Sequence, residues 1–267
     1  MLVTTSSRVN DKLEEKAVSI AERYGLQYVP RQNRSLEHLL DSIDPQIFVV
    51  NDARGLSYYE KGKSEAFFHP NIAFLRIKNM ERGERDSLLE VCGVCEGMSC
   101  LDATLGLASD ALTMSYAVGS SGKCTGVEKS RSIYILVKEG LAHYAELNPN
   151  LRETISRIKI HNGDNLDFMK SCADKSYDAV YFDFMFDYPN VKSHGIQVIR
   201  EYAVGDKMTE RHIDEAMRVA RRSVVVKCDR DGMEWLVKNG FEVKKKSSRK
   251  SFYYANMIVD ALSNRNS

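Results

Sequence analysis

The feature that most constrains the fold is an alternation of apolar and amphipathic segments that begins at Met98. The apolar segments have the length of strands, and the segments between them carry apolar residues at the spacing of helices. Parallel sheets that are covered by helices on both faces produce this alternation. The five apolar segments read MSCLDA, KCTGVE, RIKIHNGD, YDAVYFD and SVVVKC.

Two further strand-like segments, GFEVKKK and SFYYANMIV, follow one another without a helical segment between them. Their succession indicates an antiparallel hairpin. The sequence therefore predicts an α/β fold, with a Rossmann-like, seven-stranded and mostly parallel sheet that ends in a C-terminal antiparallel hairpin.

The first part of the chain is predicted to be a unit of its own. LVTTS has the character of a short strand, and apolar residues then recur at helical spacing from Val9 to Tyr24, where Gly25 ends the helix. QIFVVND and GLSYYEKG indicate two strands joined by a turn. We expect residues 1–63 to form a small α+β accessory unit and residues 64–267 to form the main domain.

The charge balance limits which partners the chain can have. With 38 basic and 37 acidic residues the net charge is +1, whereas a protein that coats nucleic acid is usually far more basic. Any RNA contact must therefore be local, although runs of charge are usually solvated surface. The candidates are the stretch RIKNMERGER at residues 76–85, the pair Arg221 and Arg222, and the segment 244–250. We expect the N-terminal unit to help hold RNA with Arg76, Lys78 and Arg82.

Neither a membrane segment nor a metal site is predicted. No apolar run approaches the roughly 18 residues of a membrane span, and MLVTTSSRVNDKLEEK lacks the apolar core of a signal peptide. We therefore expect a cytoplasmic protein. Cys92 and Cys95 form a lone C-x-x-C without a second pair or a nearby histidine, which favours packing over zinc.

Acidic residues stand where four of the predicted strands end. Ligands of parallel sheets bind at the carboxyl ends of the strands, so acids at several successive ends indicate a binding site. The four residues are Asp102, Glu128, Asp164 and Asp183.

The turn after the first of these strands, LDATLGLASDA, decides between cofactors. A dinucleotide site requires several glycines because its backbone approaches a pyrophosphate closely, and Gly106 is the only glycine in this turn. The turn instead carries Asp102 before it and Asp110 after it. Two carboxylates suit the sulfonium and ammonium groups of S-adenosylmethionine (SAM) and would repel a diphosphate.

The next two strand ends fit the same cofactor. Glu128 is placed to accept two hydrogen bonds from a ribose diol, and Asp164 with Asn165 could bond the edge of an adenine. Each residue alone could equally be a helix cap, an exposed acid or a turn residue. Their order on successive strands favours a SAM site.

With these residues in place, the chain resembles class I SAM-dependent methyltransferases. Within that class it is most similar to the ribosomal RNA small-subunit methyltransferase J family, which methylates the exocyclic N2 of a guanine in small-subunit rRNA. The resemblance covers residues 75–230 and extends more loosely to the N-terminal unit. The stretches that carry it are RGERDSLLEVCGV, LDATLGLASDAL, GVEKS, IHNGDNL, AVYFDFMF and RRSVVVK.

The resemblance implies SAM as the cofactor and rRNA or the small ribosomal subunit as the partner. It also implies a place for Asp183 where cofactor and acceptor meet. At positions 184 and 187 the family has prolines, where this chain has Phe184 and Asp187. The cofactor contacts that it implies are Ser109 and Asp110 at the first turn, Glu128 and Lys129 at the ribose, and Asp164 and Asn165 at the adenine.

The segment YFDFMFDYP carries the predicted chemistry. An exocyclic base nitrogen is a weak nucleophile. Hydrogen bonds from its two N–H groups to the Asp183 carboxylate and the Phe184 carbonyl would stabilise the charge that develops on the nitrogen. Phe186 or Tyr188 could stack on a flipped base. Core packing of Phe184 or Phe186 at the strand end is the alternative. Lys227 could face the same cleft and contact a phosphate.

The predicted function is SAM-dependent methylation of a guanine N2 in small-subunit rRNA. Two alternatives stay open at this point, namely SAM-dependent methylation of a protein or a small molecule, and SAM or RNA binding without catalysis. An NAD-dependent oxidoreductase is disfavoured because the glycines of a dinucleotide turn are missing.

Overall fold

A computed structural model of the 267-residue chain describes residues 1–184, 202, 207–246 and 252–259. The chain divides into two compact units. Unit 1 contains Met1–His69 and Ser132–Asn148 together with Tyr202, and unit 2 contains the other described residues. The predicted boundary between residues 63 and 64 stays a prediction. Within the described ranges, no helix is long and apolar enough to cross a membrane.

Unit 1 is built on a five-stranded sheet with the strand order β2-β1-β3-β4-β5. β1 runs parallel to both β2 and β3, whereas β3, β4 and β5 are joined in antiparallel pairs. The strands are β1 (Leu2–Thr5), β2 (Gln27–Tyr28), β3 (Gln46–Asn51), β4 (Gly55–Glu60) and β5 (Ala66–Phe67), and the first two helices are α1 (Asp11–Tyr24) and α2 (Leu36–Ser42).

Helix α1 follows the predicted pattern. The Asn10 side chain accepts a hydrogen bond from the Leu13 N–H at its start, and Gly25 ends it in the left-handed conformation with φ of 60°. These are the usual chemical signals for the two ends of a helix. The buried face consists of Leu13, Ala17, Ile20 and Ala21, which confirms the predicted helix.

Unit 2 is built on a seven-stranded sheet with the strand order β11-β12-β10-β9-β6-β7-β8. β6 to β10 pair in parallel, and β12 pairs antiparallel with both β10 and β11. This topology confirms the predicted fold. The strands are β6 (Ser99–Asp102), β7 (Lys123–Glu128), β8 (Ile158–Asn162), β9 (Tyr177–Phe182), β10 (Ala220–Cys228), β11 (Glu242–Lys246) and β12 (Tyr253–Ile258).

Helices connect these strands and include several that the sequence patterns do not predict. α3 lies before the first strand of the predicted series and α10 follows the fifth, so both are outside the predicted alternation. The remaining helices are α3 (Asn71–Glu81), α4 (Ser87–Cys92), α5 (Ser109–Ala117), α6 (Arg131–Leu147), α7 (Arg152–Ser156), α8 (Asn165–Ser171), α9 (Glu210–Val219) and α10 (Arg230–Lys238).

The order of strands around β6 determines where a ligand can bind. From β6 the chain proceeds to β7 and β8 on one side, and it then returns to β9 and β10 on the other side. The helices next to such a reversal leave a crevice at the carboxyl ends of the two strands that flank it. In this sheet the reversal lies between β6 and β9, whose central residues Leu101 and Val180 pair and are fully buried.

Candidate functional site

The carboxyl edge of the seven-stranded sheet carries the four predicted acids. β6 ends at Asp102 and β7 ends at Glu128, while Asp183 directly follows the last residue of β9. Asp164 lies two residues after β8 and caps α8 by accepting hydrogen bonds from the Leu166 and Asp167 N–H groups. The topology therefore brings these acids to one edge, as the sequence predicts.

The turn after β6 is held against the neighbouring strand end. The Leu105 N–H donates to the Val127 carbonyl at 2.9 Å, and the Gly106 N–H donates to Oε2 of Glu128 at 3.0 Å. Gly106 and Ala108 both have positive φ, at 50° and 58°, which a glycine adopts without cost. A Cβ atom added at Gly106 would meet nothing within 4 Å, so the space beside this turn is open.

Glu128 joins the first turn to the start of the next loop. Its Oε2 accepts from the Gly106 N–H, and its Oε1 accepts from the Ser130 N–H at 2.8 Å. The residue is only 9% exposed, and burial raises its pKa from 4.5 to about 7 even though these hydrogen bonds act in the opposite direction. The Lys129 backbone N–H also bonds this carboxylate, so about one of its roughly four acceptor sites is left for a ribose hydroxyl.

The raised pKa of Glu128 predicts how the stability of the ligand-free protein depends on pH. The folded state binds the proton of the Glu128 carboxyl more tightly than the unfolded state. The resulting stabilisation of the folded state is fully present below pH 4.5 and is lost as the pH rises to about 7. From the shift in pKa we expect a loss of about 3 kcal/mol in the free energy of unfolding. Urea unfolding at pH 5 and 7.5 measures it.

Glu128→Gln is the matched variant for this prediction because it removes the titration and keeps the shape of the side chain. We expect the decrease in unfolding free energy between pH 5 and pH 7.5, which covers most of the titration, to be smaller by about 2 kcal/mol in this variant. An equal decrease in both proteins would show that Glu128 does not titrate in this range.

Asp164, Lys129 and Asn165 form contacts at the end of β8. Lys129 Nζ lies 3.1 Å from Oδ2 of Asp164. Burial acts to raise the pKa of Asp164, but Lys129 and the backbone N–H groups at the start of α8 outweigh it and lower this pKa. The Asn165 side-chain amide donates to the Ala103 carbonyl at 3.0 Å, so it connects this end to the turn after β6.

Asp102 and Asp110 differ in their surroundings. Asp102 is 1% exposed and accepts the Thr104 N–H at 3.2 Å. Burial, followed by the charge of Asp110, raises its pKa well above the usual range. At Asp110, Arg76 lies beside Oδ1 and the Tyr181 hydroxyl donates to Oδ2 at 3.1 Å. Burial acts to raise the pKa of Asp110, yet the charge of Arg76 lowers it.

Arg76 is a residue whose place the sequence does not predict. Its Nε and one terminal nitrogen bind both oxygens of Asp86 at 2.8 Å, and the other terminal nitrogen binds Asp110 at 2.5 Å. The side chain is 19% exposed. Because the guanidinium group is shared by two carboxylates, the structure does not support the prediction that Arg76 contacts RNA.

Asp183 is held from two directions. Its backbone N–H donates to the Thr104 hydroxyl at 2.6 Å, and its Oδ2 accepts from Lys227 Nζ at 2.5 Å. Lys227 also lies 5.2 Å from the centre of the Phe252 ring. The pairing of Val226 with Phe182 puts Lys227 next to Asp183 across two parallel strands. The sequence allows Lys227 a place in this cleft, but the ion pair becomes evident only from the register.

Phe184 belongs to the core by its side chain. It is 6% exposed, and its ring lies 5.4 Å from that of Phe182 and 5.5 Å from that of His212. The sequence allows Phe184 either to pack in the core or to contribute its carbonyl to the acceptor site. The structure shows core packing for the ring. The role of the Phe184 carbonyl stays a prediction. Phe186, Asp187 and Tyr188 lie outside the described residues.

The residues around the first turn fit SAM by their chemistry. The Ser109 hydroxyl is buried and has no hydrogen-bond partner among the residues that the structure describes, and buried hydroxyls normally have one. The open space beside Gly106 leaves room for a ligand next to it. A bound cation would offset the burial that raises the pKa values of Asp102 and Glu128, so this edge favours a cationic ligand with hydroxyl groups over a diphosphate.

Metal ligands do not gather at this edge or elsewhere in the described part of the chain. No group of three or more His, Cys, Asp or Glu side chains there could hold a metal ion. In the C-x-x-C segment Cys92 is buried and Cys95 is exposed.

Comparison with known proteins identifies the family of the chain. Residues 45–255 match the family model described as "Putative SAM-dependent methyltransferase". The chain is 38% identical over 226 residues to the protein of Bacillus subtilis strain 168 named "Uncharacterized protein YpiP". That match covers 85% of this chain and 88% of the relative.

Several relatives carry the name ribosomal RNA small subunit methyltransferase J, and two of them illustrate the range of the match. The protein from Marinobacter nauticus is 32% identical over 134 residues, which cover 49% of this chain and 46% of the relative. The protein from Francisella tularensis subsp. novicida is 28% identical over 187 residues, which cover 67% of this chain and 73% of the relative.

A solved structure has the same fold over almost the whole chain. The crystal structure of a SAM-dependent methyltransferase from Neisseria gonorrhoeae superposes with a TM-score of 0.60 at 15% identity. The superposition covers 97% of this chain and 96% of that protein. From the family match over residues 45–255, the chain belongs to the SAM-dependent methyltransferases and uses SAM as its cofactor.

Proposed function

We propose that the protein methylates the exocyclic N2 of a guanine in small-subunit rRNA. The observation that carries this proposal is Asp183, an acid at the end of β9 whose carboxylate is fixed by Lys227 at 2.5 Å. An acid at this strand end, next to the reversal in strand order, fits methylation of an amino group. The names of the two J-family relatives support rRNA as the acceptor.

Asp183 is proposed to act on the acceptor nitrogen. When bound, SAM supplies an electrophilic methyl group on a sulfonium sulfur. The Asp183 carboxylate accepts a hydrogen bond from an N–H of the base amine and holds the nitrogen in line with the methyl group. It takes the amine proton as charge develops on the nitrogen. The Phe184 carbonyl accepts the second N–H bond. Because Phe184 replaces a proline of the family, the contact of the Asp183 N–H with Thr104 at 2.6 Å fixes the backbone here instead.

Lys227 is proposed to keep Asp183 ionised and oriented. Burial acts to lower the pKa of Lys227, but the carboxylates of Asp183 and Asp110 raise it, so the lysine stays charged. Several carboxylates lie at this edge, and without a cation their mutual repulsion would favour protonation of one of them. With a charged lysine on Oδ2, the proposed acceptor for the base amine is Oδ1 of Asp183.

The cofactor is proposed to lie along the ends of β6, β7 and β8. Glu128 accepts a ribose hydroxyl with its remaining lone pair, and Lys129 flanks the same sugar. Asp164 and Asn165 border the adenine. Asp102, Gly106, Ser109 and Asp110 surround the amino-acid end of SAM. Of these residues, Asp110 is proposed to shape the site and add negative charge to it, because Arg76 and Tyr181 already bind its two oxygens.

The proposed role of Glu128 predicts a pH dependence for SAM binding. The proposed hydrogen bond from the ribose needs the ionised carboxylate as its acceptor, and the pKa of Glu128 is raised to about 7. We expect the affinity for SAM to be about 10-fold lower at pH 6 than at pH 8, since about one carboxylate in ten is ionised one unit below its pKa. Isothermal titration calorimetry at both pH values measures this.

Glu128→Gln provides the control for that prediction. The variant should bind SAM more weakly at pH 8 and show almost no difference between the two pH values. If wild type and variant bind SAM with the same pH dependence, another group is responsible and the role of Glu128 at the ribose is wrong.

The acceptor is tested by transfer of a labelled methyl group from SAM. Assembled small ribosomal subunits, naked small-subunit rRNA and the protein and metabolite fractions of a lysate are offered separately. We expect the label in rRNA. Label in protein or metabolites with none in RNA would replace the proposed acceptor, and SAM binding without transfer to any fraction would indicate a non-catalytic protein.

A further inference from the structure

Three parallel strands of unit 1 end at the same edge of its five-stranded sheet. β1 pairs in parallel with β3, with Thr5 opposite Val50, and also with β2, after which the Val29 N–H donates to the Val3 carbonyl at 2.9 Å. In open α/β sheets, the segments that follow such strand ends are the usual places for ligands. The segment after β2 consists of residues 29–35.

A tight turn in this segment brings two arginines together. The Arg34 N–H donates to the Arg31 carbonyl at 3.0 Å, and Gln32 and Asn33 have φ of 46° and 60°. These features match a type I′ turn, whose central positions favour glycine and asparagine. Gln32 is therefore held in a strained conformation, and such residues are concentrated at functional sites.

Neither guanidinium group has a carboxylate partner within the part of the chain that the structure describes. Arg34 Nε donates to the Arg31 carbonyl at 3.3 Å, and a terminal nitrogen donates to the Pro30 carbonyl. These bonds fix the Arg34 group and leave its charge uncompensated. Arg31 Nε is buried and, among the described residues, has no hydrogen-bond partner. Burial, together with the charge of Arg34, lowers the pKa of Arg31.

Two arginines elsewhere in unit 1, in contrast, are paired with acids. Arg23 lies 2.6 Å from Glu139, and Arg54 lies 2.7 Å from Glu65. A buried donor without a partner costs free energy, and so do adjacent like charges. One anion bound at Arg31 and Arg34 would relieve both costs, so the turn has the properties of an anion site.

We propose that Arg31 and Arg34 bind a phosphodiester group of the RNA backbone. The planar donors of a guanidinium group match two oxygens of a phosphate, and such contacts position a nucleic acid without reading its sequence. The proposal rests on the proposed function in one respect, which is that the acceptor is RNA. A local pair of arginines is also how a chain with a net charge of +1 can hold RNA.

The test is RNA binding as a function of salt. Fluorescence anisotropy with a labelled fragment of small-subunit rRNA compares wild type with the double variant Arg31→Met, Arg34→Met at roughly 0.05 to 0.3 M KCl. We expect the affinity at about 0.15 M KCl to fall about 10-fold and the slope of log K against log [KCl] to become less negative by about 0.7 to 0.9 for one lost phosphate contact.

Arg54→Met, Lys61→Met is the matched control. It also removes two positive charges from unit 1, but these residues are paired with Glu65 and Asp41. We expect RNA affinity and salt slope close to those of wild type. Circular dichroism and SAM calorimetry on each variant show whether the fold is intact, and the single variant Arg34→Met replaces the double variant if the latter does not fold.

Three results would overturn the proposal. They are an unchanged salt slope in the arginine variants, an equal loss of affinity in the control, and no binding of RNA by the wild type at the lowest salt concentration. Methyl transfer is measured in parallel. If RNA binding depends on the arginines but no RNA is methylated, the anion site stands and the proposed function is contradicted. If the variants methylate RNA fully and bind it as wild type does, the proposed function stands and the anion site is contradicted.

Discussion

Replacement of Asp183 by alanine is expected to lower the rate of methyl transfer by about 10²- to 10⁴-fold, the range for loss of a group that moves a proton at the reacting centre. SAM affinity should change far less, because the other proposed cofactor contacts at the ends of β6, β7 and β8 remain. The measurement is single-turnover transfer of labelled methyl to the best acceptor fraction, with SAM calorimetry beside it.

The loss of methyl transfer in Asp183→Ala must be separated from a general effect of removing an acid at an end of β9. Asp178→Ala serves this purpose, because Asp178 lies at the opposite end of the same strand, where it accepts the Ser99 N–H at 2.8 Å. We expect its turnover to stay within a few-fold of wild type. Equal turnover in wild type and Asp183→Ala would remove Asp183 from the chemistry.

Replacement of Arg76 by methionine is expected to have the largest effect on stability. The substitution leaves Asp86 and Asp110 without their shared cation at a site where the arginine is 19% exposed. Removal of one partner from a buried ionic group typically lowers the free energy of unfolding by about 3–5 kcal/mol. Urea denaturation at pH 7.5 measures the difference.

Arg85→Met is the comparison for Arg76→Met. Arg85 belongs to the same basic segment, but its side chain is 87% exposed and lies 3.7 Å from Glu90. Such exposed pairs contribute little, so we expect nearly wild-type stability. If Arg76→Met is as stable as Arg85→Met, the three-residue ionic group does not stabilise unit 2 as inferred.

The course of the sheet could be predicted because its central strands are apolar along their length. Leu101, Val180 and Val225 are fully buried, and a parallel strand covered on both faces leaves a continuous apolar run in the sequence. Acids that end such runs stand out, and for this reason the sequence alone is enough to locate Asp102, Glu128 and Asp183 at strand ends.

Partners of these acids could not be predicted in the same way, because they depend on register and on distant parts of the chain. The pair of Lys227 with Asp183 joins residues 44 positions apart, and the contact of Arg76 with Asp110 joins residues 34 apart. In the sequence Arg76 is one member of a basic run, and nothing in the run shows which arginine is buried. Only the fold brings α3 beside α5.

The turn at residues 31–34 of unit 1 has a sequence signal, but hydrophobic periodicity does not detect it. Residues 31–34 read RQNR, and asparagine in such a turn tolerates positive φ. The neighbouring glutamine gives no such indication. That Arg31 Nε is buried without a partner among the described residues becomes apparent only when the segment is placed beside the ends of β1 and β3.

The most direct test of the proposed activity is to identify the methylated nucleoside. Small ribosomal subunits from cells that lack the gene are incubated with the protein and labelled SAM, and the rRNA is digested to nucleosides for mass spectrometry. We predict label in N2-methylguanosine, with none after incubation with Asp183→Ala. Label in another nucleoside, or in ribosomal protein with none in RNA, would contradict the proposal that Asp183 directs methylation to a guanine N2.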